Sequence, residues 1–83
     1  MQIKEAKSCA KRRTMYMAWI NTGYGWFSGD MLFGSMDSIR THYEGMPEYA
    51  RTEAPDQVDR WENAEIVIVP VEVAIPDEVK EVQ

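Results

Sequence analysis

The sequence predicts a small α+β domain: an antiparallel sheet of about three strands, ordered β-β-α-β along the chain, with one helix packed on one face. Three observations carry this. Two stretches alternate in the two-residue rhythm of a strand, over 14–21 and 64–75. Between them, Ser35 and Gly45 bracket a run with apolar residues at helical spacing. The whole chain is 83 residues, which suits a single domain with little core to spare.

Thr14 to Asn21 reads as the first strand. Met15, Met17 and Trp19 alternate with Tyr16, Ala18 and Ile20, so both faces are apolar and the strand belongs in the middle of the sheet. Asn21, Thr22, Gly23 and Gly25 supply turn chemistry, because glycine accepts positive φ. Tyr24 to Phe27 then returns as the second strand of a hairpin, and Met31 to Phe33 continues extended. Ser35 is a helix N-cap, Asp37 suits the positive end of the helix dipole, and Met36, Ile39 and Tyr43 share one face. Gly45 ends this helix of about nine residues, and Pro47 is read as preventing its resumption. Pro55 fits the first position of a short second helix carrying Val58 and Trp61. Ala64 to Ile75 is the clearest strand, with Val67, Val69, Val71, Val73 and Ile75 on one face and Ile66, Ile68, Pro70, Glu72 and Ala74 on the other. Pro70 cannot donate to a ladder, which implies an edge or a bulge. The chain thus divides into a basic arm over 1–13, a domain over 14–76 and a polar tail over 77–83.

Charge is distributed unevenly. The net charge is −5, yet residues 1–13 hold five basic groups against Glu5, and residues 14–83 hold thirteen acids against four basic groups. An acidic body argues against ordinary duplex binding, which depends on Lys and Arg meeting phosphates. The single cysteine, Cys9, allows no disulfide within the chain, which favours a reducing, cytoplasmic compartment. The basic start lacks the apolar run of a secretory signal, and no stretch approaches the ~18 apolar residues of a membrane span.

No catalytic constellation is legible. Gly23, Gly25 and Gly29 are spaced one residue too widely for a dinucleotide fingerprint and precede Trp26 and Phe27 rather than a helix, so a hairpin turn is the better reading. His42 is the only histidine, and one histidine makes no metal site. No serine follows a G-x-S-x-G pattern, and Cys9 lacks a Cys–His–acid set. Neither a metal nor a cofactor is expected.

The acids are more informative. Glu44, Glu48, Glu53, Asp56, Asp59, Glu62 and Glu65 fall within 22 residues against Arg51 and Arg60, the last five spaced by three. Their plain role is solubility; their sharper one is to imitate nucleic-acid phosphates and occupy a basic groove on a larger protein. Tyr24 and Trp26, in or beside the turn, are candidate interface anchors, the plainer alternative being that Trp19 and Trp26 pack against the helix. The expectation is therefore a non-enzymatic interaction protein that inhibits a larger, nucleic-acid-binding protein through Glu48, Glu53, Asp56, Asp59, Glu62, Tyr24 and Trp26. In size and charge it is similar in style to accessory inhibitors of phages and mobile elements, such as anti-restriction and anti-CRISPR proteins, which act in the host cytoplasm. The alternative is a nucleic-acid-associated module that uses the basic arm, with aromatics stacking on bases. A homodimer is compatible with either.

Overall fold

In a computed structural model, which describes residues 1–80, the chain forms three strands and three helices. They are β1 (Lys11–Asn21), β2 (Trp26–Ser28), α1 (Met36–Glu44), α2 (Met46–Glu53), α3 (Val58–Glu62) and β3 (Glu65–Ile75), with a 3-10 turn at Pro55–Gln57. The sheet is antiparallel, ordered β2-β1-β3, so the α+β class and the central place of the first strand are both observed.

The β1–β3 ladder runs unbroken from Lys11 opposite Ile75 to Asn21 opposite Glu65. Lys11, Arg12 and Arg13, which the sequence assigns to the arm, therefore belong to the sheet. The arm is tied down one step further out. Ala10 donates its N–H to the Asp77 carboxylate (3.1 Å), the Ser8 hydroxyl donates to the same group, and Asp77 returns its own N–H to the Ser8 carbonyl (3.1 Å). Of the tail, 81–83 lie outside the described residues.

Gly23 and Gly25 have φ of 108° and 100°, the left-handed region that glycine alone enters cheaply, and Asn21 Oδ1 accepts the Gly23 N–H at 2.8 Å. This turn closes a hairpin whose second strand is short, pairing only Trp26 to Ser28 with Asn21 to Trp19. Beyond it, Phe33 continues the pairing at one point, exchanging two 2.8 Å bonds with Tyr16.

The Ser35 hydroxyl caps α1 by accepting from Ser38 N–H at 3.1 Å, and Gly45 closes it. Pro47 does not stop the helical path. It stands in the first turn of α2, where backbone N–H groups have no partner within the helix, so its missing donor costs nothing. The expected helix is α1 and the expected short helix from Pro55 is the 3-10 turn with α3; α2 is the addition, and together they form a connected layer. Ile39, Tyr43, Met46 and Trp61 from this layer pack with Phe33 against Tyr16, Ala18, Ile20, Ile66 and Ile68 of the sheet. Of these, Ala18, Ile20, Ile39 and Tyr43 are buried. At Gly29 a β-carbon would lie 2.5 Å from the Tyr43 hydroxyl, so this position has no room for a side chain.

Pro70 sits opposite Tyr16. Tyr16 spends its own N–H and C=O on Phe33, away from β3, so the Tyr16–Pro70 pair exchanges no ladder bonds. The Pro70 nitrogen therefore points to the outer side of β3, where the absent proton breaks no bond to β1. Pro70 marks an edge, not a bulge.

Candidate interaction surfaces

The helical layer carries six of the seven acids between Glu44 and Glu65. Glu48 and Glu62 do not stand free: Arg51 reaches both, Nη1 to Glu48 Oε2 and Nη2 to Glu62 Oε1, each at 2.7 Å. These bonds, to Glu62 first and Glu48 second, hold the Arg51 guanidinium above its ordinary pKa. The other arginine of the segment, Arg60, lies over the Tyr24 ring (Cζ 5.4 Å from its centroid) and donates to Thr22 Oγ1 at 3.3 Å. Both cations are thus turned onto neighbours in the same chain, and Glu44, Glu53, Asp56, Asp59 and Glu65 remain as exposed carboxylates.

The spacing by three does not create one face. Glu53 lies in α2, Asp56 in the 3-10 turn, Asp59 and Glu62 in α3 and Glu65 at the start of β3, so the series crosses four elements. What unites all of them but Glu65 is the layer they decorate. Tyr24 is 87% exposed but engaged by Arg60.

Trp19 and Trp26 do not pack against the helices. Residues opposite one another in a ladder share a face, so Met15, Met17 and Trp19 of β1 lie beside Val71, Val69 and Val67 of β3, with Trp26 beside Asn21. The helices cover Tyr16, Ala18, Ile20, Ile66 and Ile68; among the described residues no helix lies over the odd-numbered ones, of which Met15, Met17, Val69 and Val71 are half-buried. Trp19 is 42% exposed, Val67 49% and Trp26 49%. The sequence reading passed over this surface. The signal was the apolar character of both faces of both long strands, in a chain whose helices can cover only one.

Cys9 is half-buried. His42 is half-buried between Phe33 and Tyr43, at ring-centroid distances of 5.2 and 4.8 Å, a packing role on the helical layer. Among the described residues no three His, Cys, Asp or Glu side chains gather where they could hold a metal ion, and no helix is long and apolar enough to cross a membrane. An open cleft of about 500 Å³ lies between arm and tail, lined by Lys4, Lys7, Pro76 and Val79 among others. No protein family, curated protein or solved structure matches the chain.

Proposed function

We propose that this chain is a non-enzymatic binding protein that occupies a basic, nucleic-acid-binding groove on a larger protein, with the acidic helical layer as its working surface. One observation carries the reading: both arginines of residues 44–65 are engaged within the chain, leaving Glu44, Glu53, Asp56 and Asp59 of the helical layer exposed. Such a layer attracts a basic partner over a Debye length, about 8 Å at physiological salt, and so acts mainly on association rate. Glu53, Asp56 and Asp59 are its centre. Glu48 and Glu62 serve mainly to fix Arg51, and Tyr24 to hold Arg60. The single cysteine agrees with a reducing interior such as the cytoplasm, that of the host if the chain is an inhibitor of phage type.

The test is capture of partners on the immobilised protein, with and without added duplex DNA. A phosphate-mimicking layer retains nucleic-acid-binding proteins, releases them to DNA, and loses them when Glu53, Asp56 and Asp59 are all changed to Lys. Retention that ignores both the DNA and the triple reversal overturns the proposal. Retention lost on deleting residues 1–7 instead favours the basic arm.

A further inference from the structure

The uncovered sheet face is built for a second layer. In an antiparallel sheet with one face in water, alternation puts polar residues on that face. Here both faces are apolar. Met15, Met17, Trp19, Val67, Val69, Val71, Val73 and Ile75 all lie on the uncovered face, while the polar Thr14 and Glu72 stand on the side that carries the helices. From Val67 to Ile75 this apolar stripe is about 27 Å long at the strand rise of ~3.4 Å per residue.

The surface area agrees. A compact monomer of 9.6 kDa exposes roughly 5,100 Å². This chain exposes 6707 Å², an excess of about 1,600 Å² that the extended arm (Met1 and Ile3 among the most exposed residues) shares with the sheet face, whereas a standard interface takes only about 800 Å² from each partner. The molecule is elongated along the strands, 45 × 27 × 25 Å, so the face offers length enough for a partner of the same size.

We infer that a second copy of this chain covers the face, sheet on sheet, about a two-fold axis in the plane between the sheets that crosses the strands near Met17. Charge selects this axis. Lys11 stands at one end of the face and Glu65 at the other. An axis across the strands lays the basic end of each copy over the acidic end of its mate; an axis along them sets like charges together. The two copies form a sandwich with Trp19 and Trp26 inside and both helical layers outside, which presents the acidic surface twice, in opposite directions. The pairing does not depend on the acidic layer having a partner.

The test is solution mass and proximity. Light scattering on the purified protein gives twice 9.6 kDa at micromolar concentration, and Val69→Lys, which sets two ammonium groups near the axis, returns it to the single-chain mass with unchanged circular dichroism. Stacked sheets stand ~10 Å apart, too far for a disulfide, so a short bismaleimide is the probe. In a Cys9→Ser background it joins Met17→Cys to its own copy and leaves Thr52→Cys, on the helical layer, unjoined. If Val69→Lys unfolds, the crosslink decides. A wild-type protein of single-chain mass throughout, or a dimer that crosslinks through position 52 and not 17, overturns the inference. Loss of partner capture with the dimer intact counts against the acidic reading alone.

Discussion

The two ends of the β1–β3 ladder are equally regular and unequally supported. Around Tyr16 to Ile20 and Ile66 to Ile68, the sheet carries Ile39, Tyr43, Met46 and Trp61. Around Lys11 to Thr14 and Glu72 to Ile75 it carries no helix, and its visible extras are a hydrogen bond from Thr14 Oγ1 to Glu72 (2.6 Å) and the Asp77 clasp beyond it. Backbone pairing is thus uniform while packing is concentrated at one end. Since burial of apolar surface supplies most of the net driving force, cooperative stability belongs to the covered end, and the other end opens first. Hydrogen exchange of the strand amides reads this gradient directly: protection rises along β1 from Arg13 to Ile20.

The largest effect should come from Ile39, fully buried on α1. Ile39→Ala leaves a cavity under Ala18 and Ile20 and costs about 2–5 kcal/mol in a chemical denaturation titration. A loss under about 1 kcal/mol would mean that the covered end is not the seat of stability. Next comes Gly29→Ala, whose new methyl meets the Tyr43 hydroxyl. Overpacking of this kind costs about 1–3 kcal/mol, and the added change Tyr43→Phe, which removes the hydroxyl, should recover much of it.

Tyr43 also gives the covered end an alkaline limit. Burial, and secondly the nearby Asp30 charge, hold its phenol above the ordinary value of 10.0. A raised pKa means that the folded state resists ionisation. Its contribution is complete below pH 10.0 and is lost as pH rises through the folded value. The unfolding midpoint should fall above pH 10 in the native chain and fall less in Tyr43→Phe.

The smallest effect belongs to the far end. The Ser8 hydroxyl first, and the Ala10 N–H second, hold Asp77 below its ordinary value of 3.8. Here the sign reverses: the clasp is complete above pH 3.8 and is lost as pH falls through the lower folded value. Acid, or Asp77→Asn, should raise exchange at the Ala10 amide and leave the global midpoint nearly unchanged. Deleting residues 1–7 should do as little, whereas deletion through Arg13 removes three ladder pairs and costs more.

The elements were legible where local chemistry decides them. The Ser35 cap, the Gly23 and Gly25 turn and the alternation through Ile66 to Ile75 each rest on contacts within a few residues. Pro47 misled because the same ring that breaks a helix interior is harmless in a first turn, and only the bend at Gly45 distinguishes the two. The acids were legible as a list but not as a surface, since their spacing by three carries no information once the chain passes through four elements. The arginine contacts that sort them, Arg51 with Glu62 eleven residues away and Arg60 with Thr22 thirty-eight residues away, are tertiary and leave no local trace. The bare face was written in the sequence, as two strands apolar on both sides. Recognising it required counting how many layers the remaining residues could build.

The outward nitrogen of Pro70 bears on the behaviour of this chain in a crowded solution. Ile66 to Ile75 is β-branched, apolar and nearly uncharged, and it forms the free margin of the sheet, the kind of segment that recruits further strands into fibrils. A further strand would need a donor at every second residue along that margin, and at its centre Pro70 offers none. The ring thereby interrupts growth within the plane of the sheet while leaving the broad apolar face open to stacking. Association is steered from an unlimited direction, edge onto edge, to one that closes after a single step.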